Sequence, residues 1–201
     1  MDKRAEELLH DLKVTRGCRI NAAERLNTRV RRMALLIAVA AGMVIALTVL
    51  PALYKLPPSI SIDLAVVTLL MAVVILAVSL FQYGTNDAVT AEQHHRCSLE
   101  LGELLRELRN KAETIDENGL TTVRVRYDSV LQKYSAAHHP LDLTRYEIEH
   151  RDEFELTPVE TARAYTRLAL SGNVLYALLI IAVIVLFLWL LFGHVLPARM
   201  S

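Results

Sequence analysis

The sequence has seven histidines, a residue type that can bind a metal or transfer protons at neutral pH. They include two adjacent pairs: His94-His95, and His138-His139 followed by Asp142. Neighbouring residues on a helix diverge by about 100°, so the first pair does not share a ligand face. The second pair could converge with its carboxylate, but no other cluster supplies a fourth ligand. We therefore expect these histidines to cap helices and to hydrogen-bond nearby backbone.

Other signatures of catalysis are missing from the sequence. It has no His-Glu-x-x-His, no Gly-x-Ser-x-Gly and no glycine loop of the kind that cradles phosphates. Its two cysteines, Cys18 and Cys97, lie in different segments and form no Cys-x-x-Cys pair. We predict free thiols in a reducing compartment, and no catalytic residues, cofactor or metal. The chain is not expected to be an enzyme.

The composition indicates a membrane protein. Hydrophobic residues make up 53% of the 201 residues, and the formal net charge is zero. The basic residues are scattered and balanced by acidic ones, so we predict no direct binding of nucleic acid. The apolar residues collect in three blocks with charged sequence between them, which is not typical of a soluble domain.

The three apolar blocks predict three membrane-spanning helices, over residues 33–54, 64–83 and 168–195. Crossing a hydrocarbon core takes about 20 apolar residues, and each block supplies them. No face of these helices is polar, which argues against buried helices of a soluble protein. No Asp, Glu, Lys or Arg lies within a block, and this argues against a transporter or a proton relay.

Basic residues at the ends of the blocks predict the orientation. Four arginines directly precede the first block, whereas the loop after it contains a single lysine, Lys55. Positively charged segments stay in the cytoplasm. We therefore predict a cytoplasmic N terminus, a cytoplasmic region over residues 84–167, and a C terminus on the outer side of the membrane.

Small residues recur on one face of each of the first two blocks. Such faces let helix backbones approach each other closely. The residues are Ala34, Ala38, Gly42 and Ala46 at every fourth position of the first block, and Ala65, Thr68, Ala72 and Ser79 in the second. We expect the two helices to pack on each other through these faces as a hairpin. Self-association into a homo-oligomer is the competing use.

The predicted fold class is all-α: a transmembrane hairpin, a third C-terminal transmembrane helix and a cytoplasmic helical bundle. The bundle combines an N-terminal helix, residues 1–32, with residues 84–167. The second span is expected to continue as one helix over residues 85–112, because this stretch carries a single apolar stripe. Thr157 to Glu160 is typical of a capping box, which predicts a helix start before the third span.

Three features accompany the first two spans in a fixed order. Arg19-Ile-Asn-Ala-Ala-Glu-Arg-Leu26 precedes the first span, a long amphipathic helix follows the second, and a spaced motif between residues 127 and 142 comes next. We name Arg25 of the first segment and the residues of this motif the signature residues; the motif consists of Tyr127, Leu131, His138, His139 and Asp142. The pattern resembles the SLATT family of two-transmembrane effector domains, in particular a subgroup with an additional C-terminal span. His138 stands where the family usually has Asn.

The resemblance implies a multi-pass effector in the bacterial inner membrane that belongs to an anti-phage defence system. On sensing infection it would oligomerise into a pore or disrupt the lipid bilayer, the response called abortive infection. Its trigger would be a diffusible ligand or a separately encoded partner, such as a nucleotide-second-messenger synthase or a reverse transcriptase. An alternative function, which the uncharged spans fit equally well, is a non-conducting anchor or scaffold for a partner enzyme.

Overall fold

A computed structural model describes residues 3–54, 57–111, 114–136 and 139–172, with a few positions between 178 and 185. These residues form helices and connecting turns and include no strand, which confirms the all-α prediction. The helices are α1 (Lys3–Tyr54), α2 (Pro58–Thr85), α3 (Asp87–Lys111), α4 (Glu117–Lys133), α5 (Pro140–Glu149) and α6 (Pro158–Gly172). The third span, predicted over residues 168–195, lies mostly outside the described residues and stays a prediction.

The contacts divide the chain into two units, which we name the helical unit and the hairpin unit. The helical unit comprises residues 1–28 and 87–169, and the hairpin unit comprises residues 29–86 and 170–201. Helix α1 contributes its first part to the helical unit and its remainder to the hairpin unit. The exact ends of the predicted spans stay predictions.

Within the hairpin unit, α1 and α2 pack through large apolar side chains near the loop that joins them. Leu47 of α1 and Leu64 of α2 are fully buried, and Leu50, Val67 and Met71 pack around them. Near the opposite end of α2, the side-chain amide of Gln82 donates a hydrogen bond of 3.4 Å to a backbone carbonyl of α1. The predicted hairpin therefore forms.

The outward surfaces of this hairpin are apolar and open. In the most apolar 18-residue windows of its two long helices, 17% and 6% of residues are buried. A core helix of a soluble protein would be mostly buried, whereas lipid-facing helices expose such side chains. Val74 and Leu80 of α2, for example, are each more than half exposed. Both helices are long and apolar enough to cross a membrane.

The small residues of α1 do not form the hairpin contact that we predicted for them. All four are exposed, and a Cβ added at Gly42 would meet nothing within 4 Å. The buried positions of this span are Leu36, Ala40 and Leu47. A four-residue repeat advances about 40° around a helix at each step, whereas Ala40 and Leu47 are separated by a heptad, which stays on one side.

The small residues of α2 are also not at the centre of the hairpin contact. Ala65 and Ala72 are exposed, while Thr68 and Ser79 are half-buried. The seam between the two helices is therefore built from leucine and other large side chains. Self-association through the small-residue faces stays a prediction.

A break between α2 and α3 corrects the prediction of one continuous helix. Asn86 has φ 51° and ψ 25°, which places it in the left-handed region and ends α2. Asparagine tolerates this conformation better than most residues. Asp87 then begins α3, where its negative charge suits the positive end of the helix dipole.

The helical unit is organised around an apolar core that α1, α3 and α4 share. Its buried members are Leu8, Leu12, Cys97, Leu101, Leu104, Leu105, Leu108 and Val123. Burying one such leucine contributes about 1.5–3 kcal/mol, so this core is a large apolar contribution to the packing of these three helices.

Helix α5 packs on the opposite side of α1 through an unusually close contact. The ring of Tyr146 lies directly on the backbone of Gly17, where an added Cβ would stand 2.2 Å from two ring carbons. The ring also stacks on His150 and meets the edge of Phe154. Glycine inside a helix costs about 1 kcal/mol relative to alanine, and this contact explains its presence.

Replacing Gly17 with alanine should destabilise the protein, although the same change in an open helix would stabilise it. We expect a loss of about 1–3 kcal/mol from overpacking against Tyr146, seen as a Tm several degrees lower. The measurement is thermal unfolding in detergent, followed by circular dichroism. Gly84→Ala is the matched control, because a Cβ there meets nothing within 4 Å. Equal melting temperatures for the two variants would contradict the contact.

Candidate functional site

The structure brings two of the signature residues, Arg25 of α1 and Asp142 of α5, into direct contact. Arg25 Nε donates to Asp142 Oδ1 at 2.8 Å, and Nη2 donates to Oδ2 at 3.1 Å. The carboxylate is buried, with 2% of its side chain exposed, while the guanidinium is 36% exposed. Such a two-bond pair fixes orientation as well as charge. We name Asn21, Arg25, His139 and Asp142 the motif cluster.

The rest of the motif cluster builds the first turn of α5. His139 is the residue that caps the helix, and its Nδ1 accepts from the backbone N–H of Leu141 at 3.2 Å. The carboxylate of Asp142 reaches back to the backbone N–H of His139 at 2.9 Å. Asn21 of α1 donates from Nδ2 to the carbonyl of Asp142 at 3.1 Å. His139 therefore acts as a helix cap here, and His138 lies outside the described residues.

A second buried arginine, Arg19, connects three helices. Its side chain is 6% exposed, and Nη1 donates to Nδ1 of His94 in α3 at 3.0 Å. The same guanidinium donates to the carbonyls of Tyr134 and Ala136, just after α4. A cation at the carbonyl end of a helix satisfies acceptors that have no partner inside the helix. His95 is exposed while His94 is buried, so the two do diverge as predicted.

The remaining signature residues lie on α4. The hydroxyl of Tyr127 forms a hydrogen bond of 2.9 Å with the hydroxyl of Thr15 in α1. Burial raises the pKa of Tyr127 above its usual value, so the phenol stays protonated. Leu131 is half-buried on the same helix. Helix α1 is thus a shared partner of α4 and α5.

Some residues of this site carried no signal of their own in the sequence. Gly17 and Tyr146 were not singled out, because only the fold shows that one packs on the other. Arg19 and Asn21 lay inside the N-terminal segment of the resemblance, without a role. A polar residue on the inward face of an amphipathic helix is the signal that could have selected Arg19.

The side chains of this site have a structural role, which is to hold α5 against α1. The donors and acceptors of the motif cluster are directed at one another, and among the described residues no group of three His, Cys, Asp or Glu could hold a metal. Burial, followed by the nearby charges of Asp142 and Glu147, raises the pKa of Cys18 to about 11. Burial also raises the pKa of Cys97. Both thiols are therefore poor nucleophiles at neutral pH.

An open groove of about 370 Å³ lies between α3 and α4, away from the motif cluster. Three of its four charged side chains form ion pairs: Lys133 pairs with Glu100 at 2.5 Å inside the groove, and Arg126 pairs with Glu107 of α3 at 2.6 Å. The groove is shallow and polar, which does not favour a small-molecule site.

Changing Asp142 to asparagine should loosen α5 from α1, because the variant leaves Arg25 without its carboxylate and weakens the cap. Breaking a buried pair costs about 3–5 kcal/mol, and the partial exposure of Arg25 lowers this to about 2–3 kcal/mol. Backbone amides of residues 140–149 should then exchange with deuterium about 30 to 150 times faster. Mass spectrometry of the exchanged protein in detergent measures this.

The control for Asp142→Asn is an exposed ion pair between the same two helices. Arg145 of α5 donates to Glu24 of α1 at 2.7 Å, with both side chains well exposed. Exposed pairs contribute under about 1 kcal/mol, so Glu24→Gln should accelerate exchange by less than about fivefold. Similar effects of the two variants would show that the Arg25–Asp142 pair has no special role.

The two native thiols should react slowly with a thiol reagent at pH 8 until the protein is unfolded. At a pKa of about 11, roughly 0.1% of Cys18 is thiolate at this pH, and both sulfurs are buried. Absorbance with an aromatic disulfide reagent measures the rate in detergent. Thr122→Cys is the control, because this position is exposed and its thiol should react within seconds to minutes. Rapid reaction of a native thiol in the folded protein would contradict the packing.

Comparison with protein families gives one match that spans almost the entire chain. The model of SMODS and SLOG-associating 2TM effector domain family 5 matches residues 1–190. The curated proteins and the solved structures give no match to this chain. The match includes both apolar helices of the hairpin, as well as the described residues of the motif cluster. The chain therefore belongs to family 5 of the SLATT domains, which are two-transmembrane membrane effectors of anti-phage defence systems.

Proposed function

We propose that this chain is a multi-pass effector of the bacterial inner membrane that self-associates when triggered and permeabilises the bilayer. Loss of the membrane barrier halts the infected cell, which is abortive infection. The observation that carries the proposal is the exposed small-residue face of α1, formed by Ala34, Ala38, Gly42 and Ala46. The hairpin contact leaves this face free for a second copy.

The spacing of this face suits contact between two copies of the chain. Small residues at every fourth position favour a right-handed crossing, in which two backbones approach closely. No atom of the described residues lies within 4 Å of a Cβ built at Gly42, so within this part of the chain the approach is open at its centre. A chain that served only as an anchor would not need such a face.

The hairpin has few polar groups with which to line a pore. The hydroxyls of Thr48, Thr68 and Ser79 each donate to a carbonyl of their own helix, at 2.6–2.8 Å. Their donors are thus used within the helix. Apart from Tyr54 and Tyr83 at the ends, the other exposed side chains of the first two spans are apolar. A pore built from these helices would have apolar walls and would open and close by wetting. We therefore propose unselective permeabilisation, with no selective ion conduction.

The trigger, in this proposal, acts on the helical unit. Arg19 and Arg25 of α1 contact α3 and α5, and α1 continues without a break from these residues into the first span. A partner or ligand that separates α5 from α1 therefore changes the packing of the helix that carries the small-residue face. We infer from the arginines before the first span that this unit lies in the cytoplasm, where a messenger synthase or a reverse transcriptase could supply the signal.

Replacing Gly42 with leucine should abolish depolarisation without removing the protein from the membrane. Leucine blocks close approach of a second backbone but suits a lipid-facing position. The test follows a potential-sensitive dye in cells that carry the chain with its neighbouring genes, during phage infection. Ala77→Leu on α2 is the matched control, because Ala77 is exposed and lies outside the small-residue faces.

The wild-type chain and Ala77→Leu should depolarise infected cells, and Gly42→Leu should not. Immunoblots of membrane fractions should show equal amounts of all three. If protection against phage persists while the potential of wild-type cells stays intact, the permeabilisation proposal is wrong. The chain would then act as a non-conducting anchor or scaffold.

A further inference from the structure

Helix α6 exposes an apolar face that no described residue covers. Val159 and Tyr165 are 73% and 59% exposed, and Ala162 and Ala169 beside them are exposed as well. At 100° per residue these four positions fall within a sector of about 120°. Thr161, Ala164 and Leu168, on a neighbouring side of the helix, are only half-buried. Thr166 is exposed in the same sector, and its hydroxyl donates to the backbone carbonyl of Arg163. This side of the helix is therefore exposed and largely apolar.

The start of α6 is fixed by its own side chains. The backbone N–H of Thr157 donates to the Glu160 carboxylate at 3.0 Å, and the N–H of Glu160 donates to the Thr157 hydroxyl at 3.3 Å. This confirms the predicted capping box. Two residues earlier, Glu155 has φ 50°, a left-handed conformation that changes the direction of the chain before the helix. The direction of α6 is thus set locally.

The polar side of α6 carries two exposed arginines, Arg163 and Arg167, and the charge of Glu160 acts on the first of them. Neither Arg163 nor Arg167 forms an ion pair with a side chain in the described part of the chain. The one carboxylate on this helix, that of Glu160, is occupied by the cap at Thr157. Exposed cations next to an exposed apolar face are the two features of a helix that lies in a membrane surface.

We propose that α6 lies along the surface of a bilayer that contains anionic lipid. Val159, Ala162 and Tyr165 enter the boundary between headgroups and acyl chains, and the two arginines extend to lipid phosphates. Helix α6 is about 22 Å long and is followed by apolar residues such as Leu178 and Ile181, which are also exposed. This continuity with apolar chain is why we choose lipid over a second protein as the occupant.

The proposal rests on the membrane attachment of the chain and is independent of permeabilisation. Its consequence is that the helical unit is attached to the bilayer at α6 as well as through α1 and α2. An upright α6 that enters the membrane end-on would also contact lipid. The two arrangements differ in how depth changes along the sequence, which an experiment can measure.

The experiment places a spin label on single cysteines in the full chain, reconstituted into nanodiscs with or without phosphatidylglycerol. The positions are Val159→Cys, Tyr165→Cys and Arg167→Cys, with Thr122→Cys on α4 as the exposed control. Oxygen and a water-soluble nickel chelate each relax the label, and the ratio of the two effects reports its depth in the bilayer. The buried native thiols take up little label, which mass spectrometry checks.

We expect the labels at 159 and 165 to lie at equal depth, about 5–10 Å below the phosphates, and the label at 167 to be accessible to nickel. A depth that increases steadily from 159 through 167 means an upright helix and overturns the proposal. So does nickel access at 159 and 165 equal to that at Thr122→Cys. A second copy would be the occupant if the labels are shielded from both reagents and also show spin coupling to each other. Such coupling should disappear when the labelled protein is diluted with unlabelled protein.

The anionic requirement is tested with Tyr165→Cys as the reporter. Arg163→Gln combined with Arg167→Gln should raise this label toward the aqueous phase, as should removal of phosphatidylglycerol. Arg109→Gln combined with Arg124→Gln removes the same charge from exposed positions on α3 and α4 and should leave the depth unchanged. Equal depth in all these samples would show that the arginines do not bind lipid. No trigger or conductance is needed, so the result is separate from that of the permeabilisation test.

Discussion

The buried carboxylate of Asp142 constrains the helical unit more than any other single group. A buried charge without a partner costs several kcal/mol, and Arg25 of α1 supplies the partner. Because the same carboxylate also holds the first turn of α5, it sets the position of that helix along α1. The contact of Tyr146 with Gly17 is possible only at this register.

Helix α1 makes two different kinds of contact in the helical unit. Toward α3 and α4 it contributes leucines to an apolar core, whereas toward α5 and the turn after it the contacts are largely polar. Lys13, for example, pairs with Glu153 in that turn. Apolar cores tolerate small shifts, but a buried polar network is either satisfied or costly. The contact with α5 is therefore the one that a partner or a modest structural change can switch.

The sequence predicted what depends on composition and on short-range chemistry. The uncharged blocks identified the hairpin, and Thr157 with Glu160 identified the start of α6, because a cap involves only neighbouring residues. The small-residue faces were expected at the contact between α1 and α2, and they are not at its centre. A periodic face in the sequence does not identify the helix that packs on it. The break at Asn86 was missed because the apolar pattern continues across it. The role of Arg19 depends on helices far apart in the sequence, which local patterns do not reveal.

The absence of charge within the spans also limits where the energy for activation comes from. The membrane potential does about 2.3 kcal/mol of work per elementary charge at 100 mV, and only on charges that move through the field. Residues 33–54 and 64–83 contain no such charge. The membrane potential therefore does no direct work on these two spans. In the proposed function, the free energy for self-association would therefore come from contact between copies of α1 or from changes in the helical unit, where the motif cluster contacts the same helix.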